Sequence, residues 1–113
     1  MLFSGLTTTF FKEFVLGLWV TAPLLLSLAA TVTVLGQLVG RKEGWTRFDS
    51  FYWSFITATT VGYGDIHPIK RWSRLVSVVI ALFGFTLTGI FVAIAVHSAT
   101  IALWAHDAVM KAR

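Results

Sequence analysis

The sequence Thr-Thr-Val-Gly-Tyr-Gly-Asp occupies residues 59–65 and lies between two long stretches that carry no formal charge. The first stretch covers residues 14–40 and the second covers residues 75–106. At about 1.5 Å per helical residue, each is longer than the ~30 Å hydrocarbon core of a bilayer. The two stretches predict two transmembrane helices, and Pro23 within the first predicts at most a kink. Residues 1–11 predict either an interfacial segment or a frayed helix end.

The composition of the chain also favours a membrane protein. Of its 113 residues, 57% are hydrophobic and only 12% are charged, whereas soluble domains carry about 25% charged residues. A chain this small has too much surface to shield so many apolar side chains from water, which predicts an oligomer in a membrane. The composition argues against a soluble enzyme and a disordered segment. The absence of cysteine excludes a disulfide framework, a thiolate metal site and a cysteine nucleophile.

The net charge of +4 does not predict nucleic-acid binding. The basic residues are few and spread along the chain, and they form no basic helix face. They flank the apolar stretches, as the basic residues of ordinary membrane proteins do. We therefore expect no nucleic-acid partner.

A short segment of mixed character connects the two apolar stretches. Residues 41–48 form a polar turn, and the residues that follow Asp49 are rich in aromatic side chains. Asp49 is a suitable N-cap for a helix that runs to Thr59 over about 15 Å. Such a helix is too short to span a bilayer and too aromatic for water. We therefore predict a re-entrant helix that is buried among other helices.

The glycines of residues 59–65 predict an unusual backbone. In an ordinary strand, neighbouring carbonyls point in opposite directions. Gly62 and Gly64 allow backbone angles that are closed to other residues, so that carbonyls in succession can face one side. A row of such oxygens can replace the hydration water of a cation that crosses a membrane.

Residues 59–65 contain the threonine-valine-glycine-tyrosine-glycine loop that is the known example of a potassium-channel filter. With the aromatic helix before the loop and a spanning helix on each side, residues 14–100 resemble the two-transmembrane-helix potassium channel pore domain of bacteria and archaea. The resemblance implies an all-α membrane protein with two transmembrane helices, a re-entrant pore helix and a selectivity-filter loop, assembled as a fourfold homotetramer. It implies a single pore domain over residues 1–113, with an outer helix (12–40), a turret (41–48), a pore helix (49–59), a filter (60–65) and an inner helix (72–105).

The resemblance implies that four backbone carbonyls and one hydroxyl of the filter bind potassium. The carbonyls are those of Thr60, Val61, Gly62 and Tyr63, and the hydroxyl is that of Thr60. Because one chain supplies only one wall of each ion site, four chains around an axis are needed to complete it. The implied partners are three further copies of the chain, membrane lipid and permeant potassium ions, and no other cofactor is expected.

The resemblance also implies a set of residues that support the filter. Tyr63 is expected to point away from the ions and to pack against Tyr52 and Trp53, although these aromatics also suit a boundary between protein and lipid. Asp65 is expected to bond to side chains of the pore helix, and the Tyr52 hydroxyl is expected to reach it. Some bacterial members pair this aspartate with a glutamate where Ile56 stands here, and many have tryptophan in place of Tyr52. The supporting set also includes Thr59 and Gly64.

Helical spacing on the second transmembrane helix places two neighbouring stripes of residues on one broad face. One stripe contains Phe85, Thr88, Val92 and Val96, and the other contains Gly89, Ala93, His97 and Thr100. The resemblance implies that this face lines a cavity and an inner gate. The cavity residues are Phe85, Thr88 and Val92, and the hinge and gate residues are Gly84, Gly89, Ala93 and His97. Gly84 matches the hinge glycine of the family, and for both glycines close packing against the first helix is the alternative.

His97 supports two different predictions. Four protonated imidazoles at the place where the inner helices converge would repel one another and make the gate sensitive to acid. The alternative is a histidine that is hydrogen-bonded between helices or hydrated at the membrane edge.

These observations predict a potassium-selective channel, not an enzyme, that conducts dehydrated ions passively and is gated by the inner-helix bundle. The alternatives are a weakly selective cation channel of the same fold and a non-conducting structural hairpin. The resemblance implies a multi-pass protein of the plasma membrane with both termini in the cytoplasm. The positive-inside rule alone would put the basic connecting region in the cytoplasm. We give the family precedence because this region is structured pore.

Overall fold

The structure, a computed structural model, describes residues 2–112 and contains three helices there. They are α1 (Leu2–Glu43), α2 (Arg47–Ala58) and α3 (Arg71–Lys111). α1 and α3 are long and apolar enough to cross a membrane, and no strand occurs in residues 2–112. The predicted all-α class with two long apolar helices is confirmed.

The two long helices extend further than the bounds that the resemblance implies. α1 begins at Leu2 and α3 continues to Lys111, whereas the predicted outer and inner helices cover 12–40 and 72–105. The absence of charge shows which residues can lie in hydrocarbon. It does not show where the backbone hydrogen bonds of a helix end. α1 also continues through Pro23.

The N-terminus of α2 shows that the predicted N-cap is wrong. The N-cap is Thr46 rather than Asp49, because the Thr46 hydroxyl accepts a hydrogen bond from the backbone N–H of Asp49 at 3.1 Å. Asp49 lies in the first turn instead. There its carboxylate interacts favourably with the positive end of the helix dipole. A threonine followed three residues later by an acidic residue is a common pattern at helix starts.

Contacts divide the chain into two units. The central unit consists of Leu24–Gly89, and the terminal unit consists of the described residues before Leu24 and after Gly89. All three helices contribute buried residues to the core of the central unit. These residues are Val32, Val39, Trp53, Ala58 and Ile80. In the terminal unit, apolar contacts join the first part of α1 to the last part of α3, and the rings of Phe14 and Phe91 lie 5.6 Å apart.

Candidate functional site

In the central unit, α1 and α2 meet through residues with small side chains or none. Gly36 and Gly40 of α1 face Ser50 and Ser54 of α2, and all four residues are buried. A Cβ atom at Gly40 would collide with the Ser50 hydroxyl, and one at Gly36 would lie 2.8 Å from the Ser54 hydroxyl oxygen. Sequence reasoning missed this contact, although two glycines four residues apart are a recognised signal for close helix packing.

The C-terminal end of α2 meets α3 at Gly84. Gly84 is buried, and a Cβ atom there would collide with the carbonyl oxygen of Ala58 and lie 2.7 Å from its carbonyl carbon. The sequence predicts close packing of Gly84 against α1 as the alternative to a hinge. In the structure, the tight contact of Gly84 is instead with the end of α2. Gly89 differs, since no described atom lies within 4 Å of its Cβ position. The hinge function expected for Gly84 stays a prediction.

Hydrogen bonds join the loop after α2 to the last turn of that helix. The helix is capped at Thr59. The Thr60 N–H donates to the Thr57 carbonyl at 3.2 Å, and the Gly62 N–H donates to the Ile56 carbonyl at 3.0 Å. The position of the loop therefore depends on the position of the end of α2.

The backbone of the loop alternates between two conformations. φ is positive at Thr60 (67°), Gly62 (53°) and Gly64 (82°), and it is not positive at Val61 or Tyr63. In a regular strand, equal backbone angles make successive carbonyls point in opposite directions. An alternation between left-handed and right-handed angles turns successive peptide groups the same way, as in backbone nests. The loop can therefore present several carbonyl oxygens on one side.

Thr60 is the strained residue of this loop. A β-branched residue with a φ of 67° is a genuine outlier, and such conformations cost about 1–3 kcal/mol each. Sequence reasoning identified Gly62 and Gly64 as the flexible positions and did not predict a left-handed threonine. Strain of this kind occurs where the surrounding structure demands a particular backbone, which is typical of binding sites.

A side-chain hydrogen bond links α2 to the residue that follows Gly64. The Tyr52 hydroxyl donates to Oδ2 of Asp65 at 3.1 Å, which is the contact that the sequence predicted. Desolvation and, secondarily, this hydrogen bond raise the pKa of Tyr52 above its ordinary value. The phenol is therefore a protonated donor at neutral pH. Ile56, at the position of the family glutamate, is half-buried and contributes its carbonyl to the bond with Gly62.

The aromatic residues expected behind the loop have different surroundings. Trp53 is buried in the core of the central unit, where its ring meets the ring of Trp45 edge-on at 5.2 Å. Tyr63 is 72% exposed in the single chain. The expected packing of Tyr63 against Trp53 is thus not present within one chain, because Trp53 is enclosed by residues of its own core.

The facing ends of α1 and α3 cap each other. One carboxylate oxygen of Glu43, the last residue of α1, accepts hydrogen bonds from the backbone N–H groups of Ile69 and Lys70 at 2.8 and 2.9 Å. The Lys70 ammonium in turn donates to the Lys42 carbonyl at 2.6 Å. The N–H groups of the two residues just before α3 and a carbonyl in the last turn of α1 are thereby satisfied. Sequence reasoning missed this pairing, which no local pattern reveals.

The predicted cavity and gate residues of α3 are mostly exposed in the single chain. Thr88 is half-buried, and the exposed residues are Phe85, Gly89, Val92, Ala93 and His97. His97 also lines a cleft of about 470 Å³ in the terminal unit, to which α1 contributes Glu13. This face of α3 is therefore free to meet ions, water or another copy of the chain.

Comparison with known proteins identifies the family. The model of a family described as "Ion channel" matches residues 14–100. The chain belongs to this ion channel family. The match covers most of both long helices and the whole segment between them, and it agrees with the predicted resemblance to potassium channel pore domains. The family is one of ion channels and not one of enzymes.

Relatives of this ion channel chain carry potassium-channel names. The TWiK family of potassium channels protein 7 of Caenorhabditis elegans is 42% identical over 53 residues, which are 47% of this chain and 10% of the relative. The two-pore potassium channel 5 of Arabidopsis thaliana is 46% identical over 37 residues, which are 33% of this chain and 9% of the relative. A voltage-gated potassium channel of Aeropyrum pernix is 38% identical over 39 residues, which are 34% of this chain and 13% of the relative.

The aligned segments are short in relation to these relatives. The matched part of the chain spans about a tenth of the length of each of them. No solved structure matches the chain.

Proposed function

We propose that this chain forms the pore domain of a potassium-selective channel, through which K⁺ moves passively along backbone carbonyls. The observation that carries the proposal is the alternation of positive φ at Thr60, Gly62 and Gly64 with other angles at Val61 and Tyr63. Carbonyls that face one side can replace the hydration shell of a monovalent cation without any charged side chain. The potassium-channel names of the relatives support K⁺ as the ion.

Four copies of the chain surround one axis in this proposal. A single loop coordinates each ion from one side only, and four loops complete the cage of oxygens. The exposure of Tyr63, at 72%, is consistent with a neighbouring copy that covers it. The exposed side chains of Phe85, Val92 and Val96 likewise leave a broad face of α3 that can turn toward the axis and the other copies.

The pore helix α2 contributes an electrostatic attraction. A helix C-terminus carries about half a negative charge. In the tetramer, four α2 helices would direct their C-terminal ends, near Ala58, toward the axis as re-entrant helices. Their partial charges favour a hydrated cation at the middle of the membrane. This accounts for the burial of a short helix that cannot span the bilayer.

The inner helices form the gate in this proposal. Phe85, Thr88 and Val92 line the cavity below the filter, and Ala93 and His97 lie further along the same face of α3. Convergence of four α3 helices at the latter positions closes the pore, and their separation opens it.

The protein lies in the plasma membrane with the filter facing outward and both termini in the cytoplasm. This orientation opposes the positive-inside rule, because basic residues are frequent between the two spanning helices. The connecting region is a folded pore with its own helix, and the rule applies best to short unstructured loops. A cysteine introduced at Lys42 tests the orientation, since labelling exclusively from the cytoplasm would refute it.

Flux measurements test the proposed function. Purified protein in liposomes should release K⁺ much faster than Na⁺, and Ba²⁺ should block the K⁺ flux. The oligomeric state of the same sample, measured by light scattering, should be a tetramer. Equal fluxes of the two ions would indicate a weakly selective cation channel, and a protein that forms no tetramer and gives no flux would indicate a structural hairpin.

A further inference from the structure

We propose that Gly84 is a positioning residue for ion selectivity. It lets α3 touch the backbone of Ala58, which fixes the place where the pore helix ends and the filter begins. This assignment rests on the proposed function, and it gives Gly84 a packing role in place of the hinge role that the family resemblance implies.

The contact at Gly84 leaves no room for adjustment by side chains. The atoms that a Cβ at Gly84 would meet are the carbonyl oxygen, the Cα and the carbonyl carbon of Ala58, and the last of these lies at 2.7 Å. All three are backbone atoms, so no change of rotamer can relieve the collision. Any other residue at this position therefore moves one of the two helices.

When a larger residue replaces Gly84, the end of α2 moves rather than α3. On α3, Ile80 lies one turn before Gly84 and is fully buried in the core of the central unit. On α2, Ala58 is the last helical residue, and the residues that follow it, 59–65, are exposed. Ala58 is itself fully buried in this core. A shift of α3 would move Ile80 together with the rest of a 41-residue helix, whereas a shift at Ala58 moves only the last turn of a 12-residue helix and the exposed loop after it.

This shift reaches the filter through hydrogen bonds. The N–H groups of Thr60 and Gly62 donate to the carbonyls of Thr57 and Ile56 in the last turn of α2. The loop therefore follows the end of the helix. Selectivity depends on the spacing and the number of the coordinating carbonyls, which a backbone displacement alters.

Gly89 provides a matched control on the same helix. Replacing either glycine by alanine removes a flexible residue and raises the helix propensity by the same amount. Only the substitution at Gly84 adds an atom that collides with a neighbour, because the Cβ position of Gly89 is open. Comparing Gly84→Ala with Gly89→Ala therefore separates the effect of losing a flexible residue from the effect of the collision.

The experiment measures reversal potentials of the full-length channel in planar bilayers, with K⁺ on one side and Na⁺ on the other. The wild-type channel should favour K⁺, and Gly89→Ala should keep the wild-type permeability ratio. Gly84→Ala should lower the ratio by about tenfold or more, since displacements of about 1 Å can cost up to 10²-fold in precisely arranged sites. The reversal potential does not depend on the number of channels, so a loss of folded protein alone would leave it unchanged.

A second variant joins four copies of the chain in one polypeptide and carries Gly84→Ala in only one copy. Its three other copies keep the contact between Gly84 and Ala58, so that the protein can still assemble. It should give a ratio between those of the wild type and the full variant. A wild-type ratio in both Gly84 variants, with or without altered opening, would overturn the assignment. Equal permeability of the wild-type channel to K⁺ and Na⁺ would instead overturn the proposed function.

Discussion

The central and terminal units use the same two long helices but differ in the contacts that hold them. In the central unit, hydrogen bonds join separate elements, as between the Gln37 amide of α1 and the Arg47 carbonyl of α2 at 3.1 Å. In the terminal unit, α1 and α3 meet through apolar groups such as the rings of Phe14 and Phe91. The hydroxyl of Ser98 there donates to a carbonyl within its own helix.

This difference separates a region of fixed geometry from a region that can slide. Hydrogen bonds are directional and weaken steeply when their angle changes. Apolar contacts have no preferred direction, so helices joined by them can shift with little loss of free energy. Substitutions in the central unit should therefore alter ion selectivity or stability, and substitutions in the terminal unit should alter opening.

The largest effect is expected from Gly62→Ala. Alanine in a left-handed conformation costs about 1–2 kcal/mol, and the cost recurs in each of four chains. Because about 1.4 kcal/mol corresponds to a tenfold change, K⁺ flux into liposomes should fall by at least about 100-fold. Gly44→Ala is the matched control, since Gly44 also has a positive φ and open space at its Cβ position but lies outside the filter. Normal flux in Gly62→Ala would contradict the conducting role of the loop.

A second, smaller effect concerns the hydrogen bond between Tyr52 and Asp65. Desolvation and, secondarily, the hydrogen bond to Asp65 raise the pKa of Tyr52 above its ordinary value of 10.0, so the folded protein favours the protonated phenol that donates this bond at neutral pH. Its contribution should be lost only as the pH rises through that raised pKa. Thermal denaturation of the purified protein should show an alkaline loss of stability that is larger in the wild type than in Tyr52→Phe.

The same bond is tested by combining two substitutions. Tyr52→Phe and Asp65→Ala should each lower the melting temperature, and the double variant should be less destabilised than the sum of the two. Additive effects of the two substitutions would show that the two side chains do not interact.

A third effect should come from the reciprocal caps at the facing ends of α1 and α3. Glu43→Ala removes the acceptor for two backbone N–H groups and should lower the melting temperature by a few degrees. Glu43→Gln keeps an acceptor oxygen and should be intermediate. Glu13→Ala, which changes the glutamate of the terminal unit, should have less effect than Glu43→Ala, and equal effects of the two would contradict the contrast between the units.

The smallest effect on selectivity is expected from His97→Ala, because His97 lies in the terminal unit. The reversal potential of the His97→Ala channel should equal that of the wild-type channel. Currents recorded across internal pH then test whether His97 makes the gate sensitive to acid, with His106→Ala as the control. An unchanged pH response in His97→Ala would exclude the acid-sensitive gate, and a changed reversal potential would contradict the assignment of His97 to the gating region.

Local patterns predicted the parts of the molecule that depend on neighbouring residues. The absence of charge predicted the two long helices, and Gly62 and Gly64 predicted the unusual loop. The left-handed Thr60 was not predicted, because its side chain disfavours that conformation and only its surroundings impose it. The contact between Ala58 and Gly84 was missed for a related reason, since it joins residues that are distant in the sequence.

The hydrogen bonds of Glu43 and Lys70 hold together the two ends of the segment that connects the long helices. Glu43 and Ile69 are 26 residues apart in the sequence, yet their hydrogen bond brings the start and the end of the segment to one place. This hydrogen bond restrains the segment at both of its ends, as a cross-link restrains a loop. A chimera that exchanges residues 43–70 would transfer the filter sequence with its Glu43 hydrogen bonds, while the glycines that α2 packs against, Gly36, Gly40 and Gly84, would remain those of the recipient.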